Sequence, residues 1–186
     1  MFERQLFEGD LIRLTVYDPE KDAEVESKWT EDSDYMHAIG ERPAYPLAVH
    51  LVRKKHEERV KEAEKNRLFF WAVRKQDDDR LVGWAALSNF EWTHGSGEIS
   101  LGIGSPADRN QGFGADAMRL ALRFAFDELN LHRLRLVIPA YNEGALRFAR
   151  RFGFIEEVRR REALWLNGTR YDELWLGLLQ QDVVYG

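Results

Sequence analysis

The 186-residue chain contains no cysteine, which excludes disulfides, a thiolate nucleophile and any cysteine-based zinc or iron–sulfur site. It also lacks an uninterrupted apolar run long enough to cross a bilayer. The first residues, MFERQLFEGD, have neither the basic start nor the apolar stretch of a secretory signal. These absences predict a cytoplasmic protein without a membrane partner. A net charge of −5 speaks against generic binding to nucleic acid. Lysine is missing from residues 99–186, where all twelve basic side chains are arginine against eleven acidic ones.

What is present is a soluble globular composition, 44% hydrophobic and 32% charged, read most simply as a single domain over residues 1–186. Residues 1–98 carry 15 basic and 21 acidic side chains, so the two halves differ in charge. Arginine presents a planar fork of donors that suits phosphate. Either the C-terminal half meets an anionic ligand and the N-terminal half a cationic one, or a solvated surface has drifted in composition.

Along the chain, Leu11–Tyr17 alternates like a strand, and Asp18-Pro19 supplies an N-cap and first-turn pair for a helix through KDAEVESKWT. The stretch TEDSDYMHAIGERPAYP is rich in turn formers and reads as a loop. A charged helix spans Leu47–Asn66, with Leu47, Leu51, Val52, Val60 and Ala63 as its apolar residues. Leu68–Arg74 and Leu81–Ser88 form a hairpin around QDDD, and Glu98–Gly104 is a further strand. A helix over Gly112–Leu129, a strand over Leu134–Ile138 and a helix over Glu143–Arg151, closed by Gly153, come next. Glu162–Leu166 and Tyr171–Leu178 pair through Asn167-Gly168, a favoured two-residue turn. This order predicts a mixed α/β domain around one sheet.

Between the Glu98–Gly104 strand and the next helix lies Arg109-Asn110-Gln111-Gly112-Phe113-Gly114. A P-loop needs a lysine that is absent here. A dinucleotide fingerprint needs an acidic residue at the end of the following strand, which instead ends Ile138-Pro139-Ala140. The pattern Arg/Gln-x-x-Gly-x-Gly/Ala is matched throughout. Its chemistry is clear: backbone N–H groups and a helix N-terminus can converge on a pyrophosphate only if no side chain intervenes.

With Asn142-Glu143-Gly144-Ala145-Leu146-Arg147-Phe148-Ala149-Arg150-Arg151-Phe152-Gly153-Phe154 one helix and one strand downstream, the chain resembles the GNAT superfamily of acyl-CoA-dependent N-acetyltransferases. The closing run REALWLNGTRYDELWLGLL resembles the last hairpin of the RimJ/RimL-like branch, which includes N-terminal acetylases of ribosomal proteins. The resemblance implies a mixed, mostly antiparallel sheet with a splayed middle and helices on both faces, and acetyl-CoA as co-substrate without a metal. It implies that Arg109, Asn110, Gln111, Gly112, Phe113 and Gly114 hold the pyrophosphate. Leu101, Gly102 and Ile103 would meet the pantetheine arm from a bulged strand, with Gly102 and Gly104 permitting the bulge. A backbone N–H there would polarise the thioester carbonyl. Asn142 would bond the same arm, and Arg147 and Arg151 the nucleotide end.

An amine must lose a proton before it attacks. Glu98 is the first candidate base and His94, in WTHGSGE, the second. Ala149 stands where many members carry the tyrosine that protonates the leaving thiolate, and Tyr141 is displaced from that place. For the acceptor, Trp29, Glu31, Asp34 and Tyr35, with Asp32 and Glu41 nearby, combine carboxylates and aromatic rings suited to a cationic amine. Protein N-termini, polyamines, aminoglycosides and small amino compounds all remain open. So does a non-catalytic acyl-CoA-binding sensor, for which Ala149 is the argument. The aromatic-rich final hairpin offers a surface for a homodimer.

Overall fold

The structure, a computed structural model, describes residues 5–40 and 43–185. Seven strands form one sheet in the order β1-β2-β3-β4-β5-β7-β6. They are β1 (Ile12–Thr15), β2 (Leu68–Lys75), β3 (Leu81–Glu91), β4 (Ser96–Ile103), β5 (Arg133–Pro139), β6 (Ile155–Leu166) and β7 (Thr169–Leu179). Every neighbouring pair is antiparallel except β4 and β5. Helices α1 (Asp22–Trp29), α2 (Ser33–Ala38) and α3 (Val49–Glu64) cover one face, and α4 (Phe113–Arg123) and α5 (Glu143–Arg151) the other. The last turn of α4 widens into a π turn over Phe124–Glu128.

The larger core lies beneath α4 and α5. Met118, Leu122 and Phe126 meet Leu134, Leu136 and Ile138 of β5 and Leu174, Leu176 and Leu178 of β7. These strands alternate as half-buried strands should, turning Arg133, Arg135, Glu173 and Trp175 to the opposite face. On that face Trp29, Tyr35 and Met36 pack on Ala72 and Trp84. Gly153 ends α5 with φ 96°, and Asn167 and Gly168 turn the final hairpin with φ 49° and 77°.

Four local expectations need correction. TEDSDYMHAIG is not a loop throughout: Asp32 accepts from the N–H groups of Asp34 and Tyr35 and starts α2, whose Tyr35 and Met36 point inward. Asp18 does cap backbone, taking the N–H groups of Glu20 and Lys21, but α1 itself begins at Asp22. Strand β6 starts at Ile155, seven residues before Glu162, with register shifts at Glu156/Val158 and Arg160/Leu164. Finally, β4 runs in unbroken register from Glu98 to Ile103 against β3; the shift lies before Glu98, where Asn89 of β3 takes φ 50°. Among the described residues no helix is long and apolar enough to cross a membrane.

Candidate active site

Strand β4 is paired on both sides for only three residues. Ser96, Gly97 and Glu98 register with Arg133, Leu134 and Arg135 of β5, and from Ile99 onward this pairing ceases. Meanwhile β4 stays bonded to β3 through Ile103, and β5 to β7 through Pro139. The sheet therefore opens like a V with Glu98 and Arg135 at its fork. Backbone groups on the facing edges of β4 and β5 lose their ladder partners there, and such groups demand others. Leu101, Gly102 and Ile103 all lie on this open edge.

Helix α4 starts at the wide end of the V. Its N-cap, Gly112, has φ 89° and no side chain closes the first turn, so the first N–H groups point outward unpaired by the helix itself. A Cβ on Gly114 would lie 3.6 Å from Ile103, 3.8 Å from Leu101 and 4.0 Å from Phe148 of α5. The bare glycine thus keeps clear the place where the α4 start, the open edge of β4 and α5 converge. The one acid of the first turn, Asp116, faces away, taking the N–H groups of Leu11 and Ile12 and pairing with Arg119. What remains at the mouth is the positive end of a helix beside unpaired strand edges, which suits a phosphate-headed, extended ligand.

The loop before α4 is anchored from below. Asp108, only 6% exposed, receives both Arg80 Nη atoms at 2.7 and 2.8 Å. Arg109, expected at the pyrophosphate, has its guanidinium on Asp32 Oδ2 at 2.8 Å and on the Gly104 carbonyl at 2.7 Å. Asn110 and Gln111 are exposed, and Phe113 turns its ring toward Lys75. Asn142 caps α5, its Oδ1 accepting from Ala145 N–H at 3.1 Å. Arg147 and Arg151 are exposed on α5, Arg147 pairing with Glu143.

Glu98 sits at the fork itself. Its Oε2 accepts from Arg135 Nε and Nη2 and from Asn89 Nδ2, leaving Oε1 outside these bonds. His94 lies in an exposed single turn before β4, on the side of the fork away from the opening. Ala149 is fully buried in the core, and Tyr141 Oη donates to the His37 carbonyl across from α2. Of the acceptor candidates, Trp29 and Tyr35 are 7% and 3% exposed and pack edge to face, with Trp84 Nε1 donating to Tyr35 Oη. Burial pushes the Tyr35 hydroxyl well above its usual range. Glu31 and Asp34 are exposed, and Glu41 lies outside the described residues. The sequence reading missed Arg80, Asp108, Arg135 and Trp175; only the alternation of RLRLVIP and ELWLGLL marked the last two as facing away from the core.

Residues 13–155 match the model of the acetyltransferase (GNAT) domain. The chain belongs to the GNAT acetyltransferase family. With it, the protein is an acetyl-CoA-dependent acetyltransferase with the α/β fold of that family. Among relatives, Bacillus subtilis YjcK, provisionally named an N-acetyltransferase, is 30% identical over 133 residues, 70% of this chain and 72% of its own. Bacillus subtilis YdaF, provisionally named a ribosomal N-acetyltransferase, is 30% identical over 105 residues, 56% of this chain and 57% of its own. The spermidine N-acetyltransferase of Vibrio cholerae, solved with CoA and spermine, superposes with a TM-score of 0.79 at 23% identity, covering 92% of this chain and 96% of that one.

Proposed function

We propose that residues 1–186 act as one N-acetyltransferase domain of the RimJ/RimL-like branch, moving an acetyl group from acetyl-CoA to a primary amine, either a protein N-terminus or a small amino compound. The observation that carries this reading is the V between β4 and β5 opening directly onto the uncapped start of α4. Backbone N–H groups from Gly112 onward hold the pyrophosphate, with no side chain at Gly112 or Gly114 to block it. The free edge of β4 at Leu101–Ile103 pairs with the pantetheine arm and directs an N–H at the thioester oxygen, where negative charge gathers during attack. Bound acetyl-CoA supplies the acetyl thioester.

The amine approaches from the face that carries α1–α3, because the other side of the V is closed by the α4–α5 core. A new C–N bond forms as the C–S bond breaks and CoA leaves as its thiolate. Glu98, at the fork on that face, takes the amine proton directly or through water. The non-catalytic sensor reading draws on Ala149, whose full burial leaves no room for a tyrosine at that position.

Thiol release from acetyl-CoA against a panel of amines separates the two. Release that falls about a hundredfold or more in Glu98→Gln, with acetyl-CoA affinity kept, is the expected result. Binding without release for any amine would leave the sensor reading standing.

A further inference from the structure

By alternation along β4, Glu98, Ser100 and Gly102 face α1–α3, while Ile99 joins the core beneath α4 and α5. A Cβ on Gly102 would meet Trp84 and Ile39, which belong to that face, so Ser100 lies on it too. The backbone polarity of β4 is set as well. Gly104 N–H donates to the Val82 carbonyl at 3.0 Å, so Gly102 and Ser100, two and four residues earlier, also turn their N–H groups to β3. Past the fork, the N–H groups on the open edge are therefore those of Leu101 and Ile103.

A thioester oxygen held at either N–H lies far from the base. Three residues of strand separate Glu98 from Leu101, about 10 Å along β4. A proton passes between groups in hydrogen-bond reach, about 2.6–3.2 Å between heavy atoms. Glu98 is also held back. Its Oε2 is bonded by Arg135, whose guanidinium lies 4.5 Å from the centroid of the Trp175 ring, and by Asn89 at 3.2 Å. Asn89 follows Ser88, the residue paired with Glu98, so this bond draws the carboxylate toward the closed end of the fork. Between Glu98 and the Leu101 N–H, on the face from which the amine comes, β4 carries one side chain, that of Ser100. It is half-buried opposite Ala86, and its hydroxyl bonds no other described residue. Ser88 stands level with Glu98 and shortens nothing, and the Tyr35 hydroxyl is buried beneath its bond from Trp84.

We propose, on the acetyltransferase reading above, that Ser100 is a catalytic residue that relays the acceptor's proton to Glu98. A serine hydroxyl donates and accepts at once, which is what a relay requires. The amine arrives as an ammonium and gives a proton to Ser100 Oγ, while that hydroxyl passes its own proton through one water to Glu98 Oε1. Ser100 is left a neutral hydroxyl and Glu98 a carboxylic acid. The freed lone pair forms the C–N bond as the C–S bond breaks. The second proton shed by the nitrogen goes to the leaving thiolate, and Glu98 returns its own to solvent. Arg135 and Asn89 are positioning residues: by occupying Oε2 they leave Oε1 to take the relayed proton.

The test is thiol release from acetyl-CoA by the whole protein with an alanyl dipeptide, spermidine and butylamine, the variants being compared on whichever amine the parent uses best. Ser100→Ala is expected to lower kcat by about tenfold or more, with acceptor KM and CoA affinity within about threefold of the parent. Ser100→Thr keeps the hydroxyl and should recover most of that loss. Ser88→Ala, on the same floor, should match the parent. The deciding variant joins Ser100→Ala to Glu98→Gln. One relay can be broken only once, so the pair should be no more than about threefold slower than Glu98→Gln alone. A further loss of about tenfold in the pair overturns the relay, because independent effects multiply. Unchanged kcat in Ser100→Ala, a loss confined to KM, or equal slowing in Ser88→Ala also overturns it and leaves the acetyltransferase reading intact. No release by the parent with any amine fails that reading and this inference with it.

Discussion

Arg109 and Asp32, 77 residues apart in sequence, meet at 2.8 Å and join the loop before α4 to the start of α2. Asp32 uses its other oxygen to cap α2, and Arg109 also holds the Gly104 carbonyl at the end of β4. Burial alone would raise the Asp32 carboxyl, but the Arg109 bond and the capped N–H groups outweigh it and hold it below the usual carboxylate range. The arginine that a sequence pattern assigns to the phosphate thus also joins the loop before α4 to the start of α2 and the end of β4.

Asp32→Asn tests this link cleanly, because asparagine caps a helix as well as aspartate but carries no charge. Its acetyl-CoA affinity should stay within about threefold of the parent while acceptor KM rises. Stability should drop by no more than about 1 kcal/mol, the pair being about one-third exposed on the arginine side. Isothermal titration with CoA decides the point. A large loss of CoA affinity in Arg109→Gln that is absent from Asp32→Asn would support the assignment of Arg109 to the pyrophosphate.

Gly114→Ala should be tolerated in both folding and binding. The new methyl meets only ordinary contacts, at 3.6 Å or more, and alanine replaces glycine in the first turn of a helix. The melting temperature should hold or rise, by up to about 1 kcal/mol in stability. CoA affinity should stay within about threefold, because the loop pattern accepts alanine at this position and the methyl meets Leu101, Ile103 and Phe148 only at ordinary contact distances. A fall of about tenfold or more would mean that the cofactor presses directly against this position.

Tyr141→Phe asks whether this phenol replaces the tyrosine that Ala149 cannot be. Tyr141 Oη donates to the His37 carbonyl and so ties the β5–α5 turn to α2. Committed in this way, it should influence acceptor KM more than kcat. A fall in kcat of about a hundredfold with KM unchanged would instead make Tyr141 the proton donor to the thiolate.

The segment from β4 to α5 was legible because each feature there answers to a local rule. Gly112 and Gly114 start a helix, Gly153 ends one, and Asn167-Gly168 turns a hairpin. Helix α2 was hidden because Glu31, Asp32 and Asp34 look like a solvated loop until Asp32 is seen as a cap. The start of β6 was hidden for a related reason: Glu156, Glu157, Arg159, Arg160 and Arg161 lie on an exposed edge strand, where no buried face imposes alternation. Pairings such as Arg109 with Asp32, or Arg135 with Glu98, join distant parts of the chain, and nothing in local spacing announces them.

A buried cluster outside the site sets the behaviour in acid. His56, 3% exposed, donates from Nε2 to Glu26 Oε2 at 2.6 Å and stacks on Tyr17 with ring centroids 3.3 Å apart. Arg59 approaches its Nδ1 at 3.2 Å, and Phe70 meets the ring at its edge. Burial holds His56 below the usual histidine range, although Glu26 and Asp22 pull it upward and Arg59 assists the burial. As pH falls, the unfolded chain therefore binds a proton at this residue first, from about pH 6.5. Stability contributed by neutral His56 is full above that pH and is lost below it. Glu26 is pushed up by burial but held down more strongly by His56 and Arg59, so its share persists until the pH drops below about 4.3 and is lost in stronger acid. The urea midpoint should thus decline between about pH 7 and pH 5 before any carboxylate of the cluster titrates. His56→Gln should start lower, by about 1–3 kcal/mol for the disturbed buried bond. Its decline over the same pH range should be visibly shallower. An equal decline in both proteins would move the acid sensitivity to another group.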